Sequence, residues 1–131
     1  MNAPKPQLTT SDVIDTARVL ADFGGMPAYA VANLHSVTFG PAIASYLARI
    51  DDTLAPFDGR FLVHGAKADV MEGQLVGDLV IVEFPDLERA SAWYSSDAYQ
   101  EILALRTENS DGTVVLIDGV PPDHRATEIL D

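Results

Sequence analysis

Apolar residues recur along this chain with two different periods, and each change of period marks an element. Four short runs rich in β-branched and aromatic residues, each bounded by turn residues, predict strands. The four runs are Ala28–His35, Arg60–His64, Leu79–Phe84 and Thr113–Ile117. Apolar residues at helical spacing predict a helix from Pro41 to Leu54, and a second helical segment follows Asp86.

The second helical segment carries two start signals. Asp86 is suited to cap its first turn, where Glu88 complements the helix dipole. Further on, Ser95 and Ser96 interrupt the pattern, and Asp97 begins a stretch that resembles a capping box. We therefore expect a kink or a restart near these residues.

The element order β-α-β-β-α-β is that of an α+β ferredoxin-like fold with an antiparallel sheet. The strands that contain Phe61, Ile81 and Val115 are apolar on both faces, whereas two helices can cover only one face. We expect a second copy of the chain to cover the other face, which makes the protein a homodimer.

Three segments are expected along the chain. Residues 1–25 form an N-terminal arm and a short helix, residues 26–121 form the ferredoxin-like domain, and residues 122–131 form a C-terminal tail. Val13, Ile14, Ala17 and Leu20 give the short helix one apolar stripe, with which it covers part of the core, a partner or a pocket. The Pro121-Pro122 pair is expected to end regular structure.

Composition excludes several classes of function. A length of 131 residues fits one domain, and a formal net charge of -12 disfavours nucleic acid and anionic membranes as partners. The absence of cysteine removes thiolate chemistry and disulfides, and three scattered histidines form no metal motif. We expect a cytoplasmic protein without a membrane span, metal or cofactor.

Several short motifs, in this order, resemble those of the domain of unknown function 1330 family. They are Gly59-Arg60-Phe61-Leu62-Val63-His64-Gly65, Glu83-Phe84-Pro85, Ala92-Trp93-Tyr94 with Ser96 and Tyr99, Leu105-Arg106, and Asp118-Gly119-Val120. The resemblance covers about Met26 to Pro121 and implies a dimeric α+β barrel in which two sheets pack face to face. The family has no agreed activity, and its wider superfamily includes monooxygenases, isomerases, haem enzymes and ligand-binding modules.

Glu83 and His64 are the candidate catalytic residues. A carboxylate inside an apolar strand is costly unless it is paired or protonated, and burial raises its pKa toward the range of a general base. Strand alternation puts His64 on the same side as Arg60 and Leu62, and histidine transfers protons near neutral pH. The alternative is a purely structural Glu83 that is satisfied by Arg60 or by water.

Six further residues are candidates for binding a substrate. Arg60 is a possible partner of Glu83, while Tyr29 and Asn33 share one face of the first strand. Trp93 and Tyr94 are adjacent on a helix and point in different directions, so we expect one of them in the core. The other, with Tyr99, either walls an aromatic pocket or packs the helix against the sheet, and packing is the favoured alternative.

Three functions stay open at this point. The first is a homodimer that holds a small organic molecule in its barrel and performs cofactor-independent proton transfer. The second is a non-catalytic ligand-binding or accessory module, and the third is a structural dimer with a filled barrel. A cavity with converging polar groups favours the first, an apolar cavity the second, and the lack of a cavity the third.

Overall fold

A computed structural model of the chain describes residues 26–131. Its strands are β1 (Ala28–Val37), β2 (Arg60–Val63), β3 (Asp78–Phe84) and β4 (Ser110–Asp118). Its α-helices are α1 (Pro41–Leu54), α2 (Leu87–Ser95) and α3 (Asp97–Thr107), and short 3-10 segments span Ala55–Phe57 and Ala126–Leu130. The expected N-terminal arm and helix lie outside the described residues.

The four strands form one sheet in the order β2-β3-β1-β4, and every neighbouring pair is antiparallel. This topology confirms the α+β class and is consistent with the ferredoxin-like arrangement. β1 lies at the centre because it pairs with both β3 and β4. The dimeric barrel is a property of two chains and stays a prediction.

The joint between α2 and α3 lies where the sequence predicts it, but a different residue caps the restart. Asp86 caps α2 by accepting a 2.7 Å hydrogen bond from the Arg89 backbone N–H. Ser96, rather than Asp97, caps α3, and its hydroxyl oxygen accepts from the Tyr99 N–H at 3.2 Å. The same hydroxyl donates to the Trp93 carbonyl at 2.7 Å, so Ser96 joins the end of one helix to the start of the next.

The expectation that regular structure stops at Pro121 is wrong, because a 3-10 segment follows it. In this segment the Arg125 backbone N–H donates to the Glu128 side chain at 2.6 Å, which satisfies a donor at the segment's start. Pro56 likewise lies inside the 3-10 segment that continues α1. Proline is tolerated in a first turn, where its missing N–H has no partner to lose.

The core lies between one face of the sheet and the three helices. Ala28 and Ala30 on β1 and Val82 and Phe84 on β3 are all buried on this face. Phe84 fills the layer without any exposure. Truncation of such a residue to alanine costs about 3–5 kcal/mol of stability.

The opposite face of the sheet carries apolar side chains that none of the helices within residues 26–131 covers. It includes Val31, Ile81, Val115 and Ile117, which occupy paired positions on β1, β3 and β4. Val115 and Ile117 are 45% and 54% exposed in the single chain. We call the side of the sheet that carries these four residues the open face.

A bulge in β2 changes the direction of the side chains that follow it. Arg60 pairs with Glu83 and Phe61 with Val82, but Val63, not Leu62, pairs with Ile81. Leu62 is therefore the extra residue, and the alternation shifts by one position beyond it.

Candidate functional site

A cavity of about 240 Å³ lies between the sheet and the helices. β1 and β3 contribute Ala30, Ala32 and Val80 to its floor, while α1 contributes Ile43 and Ile50. Its lining is predominantly apolar, and it is on the helix side of the sheet, whereas the sequence predicts a ligand space on the barrel side. The volume is smaller than that of pockets for drug-sized ligands, which span roughly 300–1,000 Å³.

Three polar side chains from two helices line this apolar space together. Tyr46 belongs to α1, and Tyr99 and Arg106 belong to α3. Residues 99 and 106 are two helical turns apart, so both lie on the face of α3 that is turned to the cavity. The Tyr46 and Tyr99 hydroxyl oxygens are 2.7 Å apart, and the Arg106 guanidinium lies 5.8 Å from the centre of the Tyr46 ring. We call these three residues the Tyr-Tyr-Arg cluster.

The surroundings hold the cluster in one charge state at neutral pH. Burial, and then the neighbouring Tyr99, raise the pKa of Tyr46 far above its usual value, and Arg106 offsets this only in part. Burial alone would lower the pKa of Arg106, but the two tyrosines outweigh it and the pKa is raised. The cluster thus presents a neutral Tyr46 phenol beside the guanidinium cation of Arg106.

Trp93 and Tyr99 form the aromatic wall of the cavity. Their ring centres are 4.1 Å apart, and both side chains are almost fully buried. The Trp93 indole N–H donates to the Thr53 hydroxyl at 3.0 Å, which in turn donates to the Ile50 carbonyl at 2.7 Å. Tyr94 is half-buried behind this wall, with its ring 5.4 Å from that of Tyr99, and does not line the cavity.

Because of the bulge in β2, His64 lies on the opposite side of the sheet from the one that the sequence predicts. Simple alternation puts His64 on the same face as Arg60, but the extra residue Leu62 turns it to the helix side. There its ring stacks on Phe61 with 4.5 Å between centres, and both residues line the cavity. His64 is exposed, so it lies toward the edge of the cavity.

Glu83 lies on the open face and does not meet His64. Arg60 donates from Nε to Glu83 Oε1 at 3.0 Å, with the Glu83 side chain only 17% exposed. Tyr29 is its register partner on β1. Burial, and then the charge of Glu83, raise the pKa of Tyr29. The contacts match the structural interpretation of Glu83, and the two candidate catalytic residues are separated by the sheet.

Asn33 also lies on the open face, where it fixes the loop before β3. Its amide donates to the carbonyls of Val76 at 3.0 Å and Asp78 at 3.3 Å. Gly77 lies between these acceptors with φ +79, and a Cβ there would overlap the Leu34 carbonyl oxygen. The Asn33 contacts therefore support a structural role.

The sequence reasoning missed Tyr46 and Arg106 as site residues. Tyr46 fits the apolar stripe of α1, and its ring packs in the core. The available signal was the seven-residue spacing of Tyr99 and Arg106, which puts a cation on the same helix face as a buried phenol.

Residues 26–131 contain neither a membrane span nor a metal cluster. No helix in this part of the chain is both long and apolar enough to cross a bilayer. Within the same residues, no group of three or more His, Asp or Glu side chains is arranged to hold a metal ion.

Two solved structures resemble this fold. They are the crystal structure of RPA0582, a protein of unknown function from Rhodopseudomonas palustris, and that of its methylated form. The first is 15% identical with a TM-score of 0.55 and covers 90% of this chain and 97% of its own. The second is also 15% identical, with a TM-score of 0.58, and covers 92% and 96%. At this identity the likeness concerns the fold alone.

Comparison with curated proteins gives no match. The family comparison does give one, over residues 27–120, which includes all four strands, the three α-helices and every member of the Tyr-Tyr-Arg cluster. The chain therefore belongs to the domain of unknown function 1330 (DUF1330) family.

Proposed function

We propose that this protein binds a small organic molecule in the cavity between its sheet and its helices. The observation that carries the proposal is the cavity itself: about 240 Å³ of mostly apolar space beside polar groups that converge from α1 and α3. Part of the lining is exposed, so its apolar side chains contact water unless a ligand covers them, and covering them is favourable. An apolar pocket with a few placed polar groups is the usual form of a ligand site.

We prefer ligand binding to the alternative function, which is catalysis of proton transfer by Glu83 and His64. The two residues are on opposite faces of the sheet, and the Glu83 carboxylate is already paired with Arg60. The cavity also favours binding over the third alternative, a structural dimer with a filled barrel. The molecule is expected on the helix side of each subunit and not between the two sheets of a barrel.

The proposal includes a homodimer formed through the open face. Val115 and Ile117 are about half exposed there, beside the half-buried Val31 and Ile81. A second copy of the same face would remove this apolar surface from water, at roughly 25 cal/mol for each Å². The two cavities would then lie on the outer sides of the paired sheets.

Trp93 offers a direct test, because it is the one tryptophan of the chain and lines the cavity. We expect its fluorescence to change on titration with small aromatic and medium-chain aliphatic probes, each supplied as a carboxylate and as its primary amide. Ala32→Leu adds three carbons inside the cavity and should weaken binding at least tenfold, while the thermal midpoint stays equal or rises.

Ala44→Leu is the matched control, since Ala44 is an exposed residue of α1 outside the cavity. It should bind the probes like the wild type. Failure of every probe to bind, or unchanged binding by Ala32→Leu, would contradict the proposed site.

A further inference from the structure

The Tyr-Tyr-Arg cluster has more hydrogen-bond donors than acceptors. Two phenols carry two hydroxyl hydrogens, and the 2.7 Å contact between Tyr46 and Tyr99 uses one of them. The phenol oxygens are the acceptors of the cluster, and the Arg106 guanidinium adds N–H donors and no acceptor. One hydroxyl hydrogen and the outer edge of the guanidinium therefore remain for a further oxygen.

The positive charge of Arg106 has no carboxylate to balance it within the described residues. Two other arginines do form ion pairs with a carboxylate: Arg49 pairs with Glu101, and Arg60 pairs with Glu83. The Arg106 guanidinium instead interacts with the two tyrosines, and it is half-buried against the apolar cavity. A cation that is partly removed from water is costly unless an anion or several acceptors face it.

From these observations we infer that the cavity selects a small apolar molecule carrying one carboxylate, whose oxygens meet Arg106 and the free hydroxyl of the tyrosine pair. A planar guanidinium matches two carboxylate oxygens, and charge-assisted hydrogen bonds are about twice as strong as neutral ones. The apolar part of the ligand would lie along Ala32, Val80 and Trp93. This inference rests on the proposed function and adds the charge class of the ligand.

The negative charge of the protein, both overall and near the cavity, does not prevent the binding of a carboxylate. The formal net charge is -12, and the exposed Asp78 lines the cavity. Charges in solvent are screened over about 8 Å at physiological ionic strength, whereas the partly buried guanidinium acts at contact. No ion pair joins Asp78 to Arg106 among the described residues, so the guanidinium is not already neutralised.

The test compares each carboxylate with its own amide in 150 mM salt, again by Trp93 fluorescence. Phenylacetate and hexanoate should bind roughly tenfold or more tightly than phenylacetamide and hexanamide, because only the carboxylates form charge-assisted bonds. Arg106→Met keeps the apolar stem and removes the charge, so it should abolish this preference while the amides bind as before. Arg106→Lys should retain part of the preference and guards against loss of folding in the methionine variant.

Arg49→Met is the control, since it removes an exposed arginine of α1 that lies outside the cavity. It should leave the preference unchanged. Equal binding of carboxylates and amides, or a preference that survives Arg106→Met, would overturn the inference and leave the proposed binding function intact. Binding of neither probe class would instead overturn the proposed function and the inference with it.

Discussion

At the scale of single residues, the notable feature is a phenol pair buried beside a cation. Tyr46 is 7% exposed and Tyr99 is 2% exposed, and one hydrogen bond joins their hydroxyl groups inside the core. The burial that makes the pair stable also keeps Tyr46 protonated. A neutral phenol can donate to a ligand oxygen, whereas a phenolate cannot.

The raised pKa of Tyr46 predicts a loss of stability at alkaline pH. Below about pH 10 the tyrosine is neutral in both the folded and unfolded states, so its full contribution is present. As pH rises above that value, the unfolded state loses the proton first. The free energy of unfolding then falls by at most about 1.4 kcal/mol for each pH unit until the folded pKa is reached.

Tyr46→Phe removes this titration. Denaturant unfolding between pH 8 and pH 11 should therefore show a wild-type advantage over Tyr46→Phe that shrinks as pH increases. Tyr94→Phe removes the hydroxyl of a half-buried tyrosine outside the cavity and serves as the control for the substitution itself. A wild-type advantage over Tyr46→Phe that is constant with pH would contradict the account of this residue.

The sequence predicts the roles of individual site residues less well than it predicts the elements of the fold. Trp93 and Tyr99 were recognised as candidates because large aromatics in a helix either fill the core or line a pocket, and here they do both. Arg106 was not recognised, since a single arginine near a helix end is typical of a solvent-exposed position. Its importance depends on a tyrosine from a different helix, which no local pattern indicates.

At the scale of elements, β3 divides the molecule into two environments. Val82 is 4% exposed and faces the helices, whereas its neighbour Ile81 faces the open side and pairs with Val31. Substitutions at these two adjacent residues therefore test the core and the proposed dimer surface separately.

Two aspartate substitutions on β3 are expected to have different effects. Val82→Asp buries a charge in the core and should unfold the subunit. Ile81→Asp should leave a folded chain that dissociates, because the charge enters only the interface. Analytical ultracentrifugation should give twice the 14.1 kDa chain mass for the wild type and the single-chain mass for Ile81→Asp. A wild-type protein that sediments as a monomer at micromolar concentration would contradict the proposed dimer.

The elements themselves were largely predictable, and the exceptions have local physical causes. The strand cores and the joint near Ser96 follow from periodicity and capping residues. The direction of His64 was wrong because one bulged residue, Leu62, reverses every side chain after it, and apolar alternation does not reveal the insertion. The cavity that the single chain shows lies on the helix side of the sheet. A ligand space on the barrel side depends on two chains and stays a prediction.

At the scale of the whole molecule, one sheet separates two surfaces with different proposed roles. The open face carries Val115, Ile117 and the Arg60–Glu83 pair, and it is assigned to a second copy of the chain. The helix side contains the cavity and the Tyr-Tyr-Arg cluster, and it is assigned to a small carboxylate. This division separates ligand binding from association, so each can be tested without disturbing the other.

The most direct test of the central claim is a map of probe binding by two-dimensional NMR of the labelled full-length protein with phenylacetate. The account predicts shifts of the single Trp93 indole N–H and of the Ala30 and Ala32 methyl groups, which line the cavity. The methyl groups of Val31 and Ile117 on the open face should not move. Shifts confined to Val31 and Ile117, or no shifts at all up to millimolar probe, would contradict a binding site between the sheet and the helices.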